Sequence, residues 1–158
     1  MTLLHPGDAF PHLDLHQVDE DKLDIPESLS GSFGVVLFNR GAWCPFCTSQ
    51  LKAFQRALPA LDELGVRVVS LSVDDEQTTR ELVENNKLTF PVGHSGDAHQ
   101  LAELTGAFVN ADPVYVQATG FVLDPEGRVL VSTYSSGAIG RLVAEDVVGM
   151  VRYVKSQA

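Results

Sequence analysis

The sequence predicts an α/β fold with a central mixed β-sheet flanked by helices, in one domain that spans residues 1–158. A length of 158 residues suits a single hydrophobic core. Short apolar runs alternate with segments of helical periodicity in the first half of the chain, which predicts parallel βαβ units. Two strand candidates separated by a three-residue turn follow in the second half, and they predict an antiparallel hairpin. Both kinds of pairing together give a mixed sheet.

The first predicted unit is strand, helix, strand. Residues 33–39 and 66–73 are apolar and rich in β-branched side chains, as is typical of buried strands. Gly65 is a natural helix stop, and Pro59 predicts a kink within the helix because it lacks a backbone donor. The helix between the strands is predicted from apolar residues at spacings of three and four: Leu51, Phe54, Leu58, Leu61 and Leu64.

The second predicted helix covers residues 76–86. Asp74 and Asp75 precede it and are candidate caps, since carboxylates accept hydrogen bonds from the free N–H groups of a first helical turn. Leu82 and Val83 are predicted to face the core. This helix extends the alternating pattern to βαβα and so favours a parallel core.

The remaining elements are a short helix around residues 98–104, strands at residues 120–124 and 128–132 joined by a turn at residues 125–127, and a terminal helix. The order βαβα followed by ββα is that of a thioredoxin-like domain. The terminal helix is predicted to pack a valine face on the sheet, comprising Val143, Val147, Val151 and Val154.

The composition excludes several functions. Eleven basic against 21 acidic residues give a net charge of −10, and such a surface repels nucleic acid and anionic membranes. Residues 1–8 lack the basic head and apolar run of a secretory signal, and the longest apolar runs are far too short to span a bilayer, so we expect a cytoplasmic protein. With only two cysteines, a disulfide-stapled secreted scaffold is also excluded.

The predicted chemistry lies in the segment GAWCPFC at residues 41–47, where the first strand passes into its helix. Cys44 and Cys47 stand at i and i+3, so they can close a small disulfide ring, and free N–H groups at the helix start stabilise a thiolate. Arg40 could lower a cysteine pKa or hold a substrate oxygen. Pro45 would stiffen the first helical turn, and Trp43 is a supporting residue of the same segment.

The same residues also fit other interpretations. A zinc site needs four ligands, and the chain has no second cysteine pair and no recognisable histidine spacing, so no metal or other cofactor is predicted. The CxxC pair could also be two buried thiols with no chemical role, since free cysteine is among the most buried residue types. His94 and His99 can be polar loop residues without a role in the site. Trp43 can simply pack on the rim of the domain, and Arg40 can be a solvated surface charge.

Several segments resemble the alkyl hydroperoxide reductase C/thiol-specific antioxidant family, in its peroxiredoxin-like branch. They are residues 7–11 (GDAFP), the active-site segment WCPFC at 43–47, residues 90–92 (FPV), residues 120–127 (GFVLDPEG) and the terminal helix. The WCPFC segment also resembles that of thioredoxin. In the register of the family pattern P-x-x-x-[TS]-x-x-C, Cys47 takes the peroxidatic position, Cys44 the threonine position and Arg40 the proline position. The family's second active-site arginine falls on or near Ala118.

The resemblance implies a thioredoxin fold and an antioxidant thiol oxidoreductase. As a peroxidase, the protein would attack hydroperoxides with Cys47 and resolve with Cys44; as a disulfide reductase, it would attack with Cys44 and resolve with Cys47. A non-enzymatic interaction module is the third hypothesis. The expected partners are a hydroperoxide or disulfide substrate and a thiol electron donor, either thioredoxin-like or of low molecular weight. An exposed apolar rim near Trp43 would indicate a homodimer or a docking surface.

Overall fold

The structure is a computed structural model that describes residues 2–158, so the first residue of the predicted domain lies outside the described residues. Across this range the chain forms nine strands and four α-helices, which confirms the predicted α/β class. In chain order they are β1 (Leu13–Gln17), β2 (Lys22–Ile25), β3 (Phe33–Phe38), α1 (Pro45–Glu63), β4 (Val66–Leu71), α2 (Glu76–Asn86), β5 (Val92–His94), α3 (Ala98–Thr105), β6 (Val109–Ala111), β7 (Val114–Val116), β8 (Thr119–Leu123), β9 (Val129–Tyr134) and α4 (Ala144–Ser156).

A seven-stranded mixed sheet in the order β2-β1-β5-β4-β3-β8-β9 forms the centre of the fold. Strands β3, β4 and β5 run parallel, whereas β8 pairs antiparallel with β3 and forms the predicted hairpin with β9. Strand β3 therefore lies between a parallel and an antiparallel neighbour. Ligands of open α/β sheets bind outside the carboxyl ends of the parallel strands, which places the segment after β3 in a favourable position for a site.

Alternation along β3 divides the core between the two faces of the sheet. Val35 and Leu37 pack with Phe54 of α1 and with α4, whereas Val36 and Phe38 pack with Phe121 on the opposite face. All of these side chains are fully buried. Burial of a phenylalanine side chain stabilises a fold by about 1.5–3 kcal/mol. The two apolar layers thus hold β3, and with it the start of α1, from both sides.

Several local predictions need correction. Val143 precedes α4 and is exposed, and Val154 is half-buried, so the buried valine face of this helix consists of Val147 and Val151. Helix α1 runs from Pro45 to Glu63 with Pro59 inside it, and the kink at Pro59 stays a prediction. Strands β1 and β2 and the separate hairpin of β6 and β7 were not predicted, because these strands are only three to five residues long and mix polar with apolar side chains.

The caps of α2 are also divided differently than predicted. Asp75 caps the helix, because its carboxylate accepts a hydrogen bond from the backbone N–H of Thr78 at 2.8 Å. Asp74 instead accepts from the backbone N–H of Ala42 at 2.8 Å and so joins the turn that carries the cysteines. Among residues 2–158, none of the helices is long and apolar enough to cross a membrane.

Candidate active site

The turn between β3 and α1 places both cysteines at the amino-terminal end of α1. Gly41 has a φ of +155°, and a Cβ atom there would lie 2.1 Å from the indole nitrogen of Trp43. Only glycine leaves room for the indole ring, which folds back over the turn. Pro45 is the first residue of α1, where its missing N–H leaves no carbonyl unpaired. This local sequence fixes the direction in which α1 begins.

Cys44 and Cys47 are close together, buried and unbonded to each other. Cys44 is the cap of α1, and its Sγ accepts the backbone N–H of Cys47 at 3.3 Å. Cys47 Sγ accepts the backbone N–H of Arg40 at 3.2 Å. Backbone donors aimed at both sulfurs stabilise negative charge on the pair.

The side chain of Arg40 reaches Cys44 from the strand side of the site. Its Nη1 lies 3.6 Å from Cys44 Sγ, its Nε donates to Gln117 at 2.9 Å and its Nη2 donates to the Tyr115 hydroxyl at 3.0 Å. The guanidinium also lies 5.0 Å from the Trp43 ring and 5.3 Å from the Tyr115 ring. Arg40 is thus held in one position by four side chains rather than being a solvated surface charge.

A second arginine, Arg141, was not predicted as a site residue and reaches both sulfurs. Arg141 Nη2 lies 2.9 Å from Cys47 Sγ and 3.6 Å from Cys44 Sγ. Its Nε donates to the carbonyl of Ala138 at 2.6 Å, and its Nη1 donates to the side-chain oxygen of Gln50 at 2.7 Å. Arg141 lies in the loop between β9 and α4, and that loop carries no recognisable motif to signal it.

These contacts shift the pKa values of the two thiols in opposite directions. Burial alone would raise the pKa of Cys44, but hydrogen bonds from the Cys47 side chain and backbone and from Arg40 hold it below the usual cysteine value. Burial raises the pKa of Cys47, and the hydrogen bond that its thiol donates to Cys44 raises it further, against the opposing effect of Arg40 and Arg141. The pKa of Cys44 is therefore lower than that of Cys47, so Cys44 is the sulfur that ionises first.

Asp74 supports the same turn from the side of α2. Burial raises the pKa of its carboxyl group above the usual aspartate value, and the Ala42 N–H offsets part of that shift. Ionised Asp74 adds a negative charge on this side of the site and restrains the backbone between Gly41 and Trp43. From its position before α2, Asp74 was expected only to cap that helix, because its contact with Ala42 spans 32 positions of the chain.

The remaining candidate residues lie elsewhere. His94 is at the end of β5 and hydrogen-bonds to Ser95, and His99 is exposed on α3. Over the range 2–158, histidine, cysteine, aspartate and glutamate side chains form no group of three that could hold a metal ion. Trp43 and Phe46, which flank the cysteines, are 56% and 51% exposed and form an apolar rim at the site.

The family model described as AhpC/TSA matches residues 6–132, which is most of the chain. The chain belongs to the AhpC/TSA family. A peroxiredoxin of Treponema denticola is 30% identical over 156 residues, covering 95% of this chain and 72% of its own length. A peroxiredoxin of Methanothermobacter thermautotrophicus is 29% identical over 152 residues, covering 92% and 71%. These matches confirm the family and the thiol-dependent peroxidase function predicted from the sequence.

Solved structures confirm the fold of this AhpC/TSA protein. The peroxidoxin BcpB of Mycobacterium tuberculosis aligns with a TM-score of 0.82 at 19% identity, covering 96% of this chain and 98% of its own. Mycobacterium bovis AhpC aligns with a TM-score of 0.81 at 20% identity, covering 100% and 96%. The thioredoxin-like architecture with a central mixed sheet is therefore shared with these proteins.

In the family register, the expected position of the second arginine falls near Ala118. This residue is buried, and its methyl side chain cannot donate a hydrogen bond to a sulfur. Its neighbour Gln117 instead holds Arg40. The place beside the sulfurs is taken by Arg141, from a loop more than 20 residues further along the chain. This AhpC/TSA protein thus has two arginines at its cysteine pair, and Arg141 comes from a different sequence position than the one the family pattern predicts.

Proposed function

We propose that this protein reduces hydroperoxides by cycling Cys44 and Cys47 between a dithiol and an internal disulfide. The observation that carries the proposal is the placement of two thiols, within hydrogen-bonding distance of two arginines, at the start of one helix. Two thiols supply the two electrons that reduction of one hydroperoxide requires. The arginines supply positive charge where the reaction generates negative charge on oxygen.

The first step that we propose is attack by the Cys44 thiolate on the terminal oxygen of the hydroperoxide. The O–O bond breaks, Cys44 becomes a sulfenic acid, and the alkoxide or hydroxide that leaves takes a proton from solvent. The lowered pKa of Cys44 supports this assignment, because the thiolate is the nucleophile. Arg40 and Arg141 both lie 3.6 Å from Cys44 Sγ and are placed to donate to oxygen atoms beside it.

The second step is resolution by Cys47. Its sulfur attacks Cys44 Sγ, the S–O bond breaks, and water leaves with the thiol proton of Cys47. The raised pKa of Cys47 suits this role, because its proton is retained until the sulfenic acid has formed. The products of the full cycle are an alcohol or water, one further water molecule and the Cys44–Cys47 disulfide.

The supporting residues in this proposal position the reacting groups. Trp43 packs edge-on against Tyr115 with ring centroids 5.0 Å apart, and both rings flank the Arg40 guanidinium. Pro45 fixes the first turn of α1 between the two sulfurs. We also propose that a thiol electron donor returns the pair to the dithiol state and that this happens in the cytoplasm. We further propose a homodimer, which would bury the exposed side chains of Phe46, Ile139 and Val143.

Two alternatives have specific support. The 2.9 Å contact between Arg141 Nη2 and Cys47 Sγ, together with the family register, favours Cys47 as the attacking sulfur of the same peroxidase. The exposure of Trp43 and Phe46 beside a CxxC pair favours a protein disulfide reductase, since an apolar rim can bind an extended polypeptide substrate.

A comparison of substrates tests the proposed function. Wild-type protein with dithiothreitol as reductant is assayed for loss of hydrogen peroxide and of cumene hydroperoxide, and separately for reduction of insulin disulfides. We expect catalytic loss of hydroperoxide and no acceleration of insulin reduction, and protein alkylated with iodoacetamide is the control. Insulin reduction without hydroperoxide loss would assign a disulfide reductase, and absence of both activities would leave an interaction module.

A further inference from the structure

An open groove of about 490 Å³ runs along the outer face of α1 from the cysteine turn. Its inner end is formed by Trp43 and Pro45, the residues on either side of Cys44. Thr48, whose hydroxyl donates to the Cys44 carbonyl at 3.2 Å, lies next along the groove. The groove is lined in full by Ala42, Trp43, Pro45, Thr48, Ser49, Lys52 and Arg56. The groove therefore lies against the turn that carries the cysteine pair, and the buried cysteines themselves do not line it.

Lys52 and Arg56 make the outer part of this groove positively charged. They stand one helical turn apart, and both are exposed. Neither forms an ion pair or a side-chain hydrogen bond with any other residue in the described range 2–158. No acidic residue lies three or four positions away from either of them along α1. Two uncompensated cations beside the site are notable in a chain with a net charge of −10.

We propose that this groove binds the thiol that reduces the Cys44–Cys47 disulfide, and that this reductant is a low-molecular-weight thiol bearing one or more carboxylates. This inference rests on the proposed peroxidase function, which consumes two electrons in each cycle. Arginine and lysine side chains recognise carboxylates, and the hydroxyl of Ser49 can donate to the same groups. The exposed Trp43 ring offers an apolar wall for the body of the ligand.

The shape of the groove favours a small molecule over a protein. Its volume of about 490 Å³ lies within the range of roughly 300–1,000 Å³ that small-molecule sites occupy. Pro45, Thr48, Ser49, Lys52 and Arg56 follow one another along one helix face, so a short chain with a thiol at one end and a carboxylate further along can lie along the groove. An acidic protein is the competing occupant, and the experiment below separates the two.

The proposed reduction balances with two molecules of reductant. A first thiolate attacks Cys44 Sγ, the disulfide breaks, and Cys47 leaves as a thiolate that takes a proton from solvent. A second thiolate attacks the reductant sulfur of the mixed disulfide and releases Cys44. The reductant is oxidised to its disulfide, and the protein returns to the dithiol. Lys52 and Arg56 contribute by raising the local concentration of an anionic thiol and by holding it in the groove.

The experiment measures the reduction of preformed disulfide in single-turnover mode. Wild-type protein is oxidised with diamide, so that the disulfide is available whether or not hydroperoxides produce it. Reduction is followed by the fluorescence of Trp43, the only tryptophan in the chain. The probes are 3-mercaptopropionate, which carries a carboxylate, and 2-mercaptoethanol, which is neutral, compared at equal thiolate concentration.

The test variant is Lys52→Gln/Arg56→Gln, and the matched control is Lys87→Gln/Arg152→Gln, which removes two positive charges at exposed positions outside the groove. We expect the test variant to lower the rate constant for 3-mercaptopropionate about fivefold or more and to change that for 2-mercaptoethanol less than about twofold. The control should match the wild type with both probes. The anionic preference of the wild type should also weaken as salt is added.

Three results would overturn the inference. Equal losses with both probes would assign Lys52 and Arg56 a structural role. An equal loss in the control variant would assign the effect to net charge alone. Reduction by an acidic thioredoxin that depends on the two cations, with no such dependence for 3-mercaptopropionate, would make the groove a protein-docking surface. Failure of the proposed peroxidase function is seen separately, as absence of hydroperoxide consumption with dithiothreitol.

Discussion

Replacement of Cys44 by serine abolishes hydroperoxide turnover, with an expected loss of about 1,000-fold or more, because a serine hydroxyl is not ionised at neutral pH. Cys47→Ser is expected to lose turnover to a similar extent but to retain one attack per molecule. The difference arises because Cys44 forms the sulfenic acid and only resolution needs Cys47. Peroxide loss is measured over one turnover and over many, and dimedone labelling followed by peptide mass spectrometry locates the sulfenic acid.

The two serine variants therefore decide which sulfur attacks. Dimedone label on Cys44 in the Cys47→Ser protein, and none on Cys47 in the Cys44→Ser protein, is the expected result. Label on Cys47 in the Cys44→Ser protein, formed at the wild-type rate, would contradict it and would support the register of the AhpC/TSA family. The double variant gives the rate of uncatalysed peroxide loss, and circular dichroism verifies that each variant is folded.

The second large effect is expected from Arg141→Gln, which should lower kcat/KM for hydroperoxides by about 100-fold. Arg141 Nη2 is the side-chain nitrogen nearest to either sulfur, at 2.9 Å from Cys47 Sγ, and its charge helps to lower the pKa of Cys44. Loss of that charge raises the pKa of Cys44. The rate at which iodoacetamide alkylates Cys44 increases with pH, and in this variant the increase should occur at higher pH. Arg141→Lys keeps a charge but not the guanidinium contacts, and an intermediate rate is expected.

The matched control is Arg152→Gln, which removes the same charge from an exposed position on α4. It should leave both the rate and the alkylation profile unchanged. If Arg141→Gln and Arg152→Gln behaved alike in both measurements, Arg141 would have no role in the site beyond its contribution to net charge. A rate loss without a shift of the alkylation profile would contradict the assigned effect on the Cys44 thiolate.

The main elements of the fold could be predicted from the sequence because their signals are local. Leu51, Phe54 and Leu61 recur at the helical period and are buried in α1, and the β-branched run of β4 forms a buried strand. Strands β1 and β2 alternate polar with apolar side chains, but over only five and four residues, which is too short a stretch to distinguish a strand from a loop. Val143 fits the helical spacing and was therefore expected in α4, but it precedes the helix. Spacing alone does not show where a helix begins.

The cysteine pair and Arg40 could be found in the same way, because all three lie within eight consecutive residues. The groups that surround them could not. Tyr115, Gln117 and Arg141 come to the site through strand pairing and loop placement, at separations of 75, 77 and 94 residues from the atoms that they contact. Arg141 could have been found only by asking which arginine replaces the one missing near Ala118.

The most direct test of the account is the identity of the oxidised protein. Wild-type dithiol protein is treated with one equivalent of hydroperoxide, free thiols are alkylated, and the intact mass and the peptides are determined without reduction. The account predicts monomer that has lost two hydrogen atoms, resists alkylation and contains a peptide with Cys44 bonded to Cys47. Sulfinic acid or intermolecular disulfide as the only product would contradict it, because one internal pair would then not supply both attack and resolution.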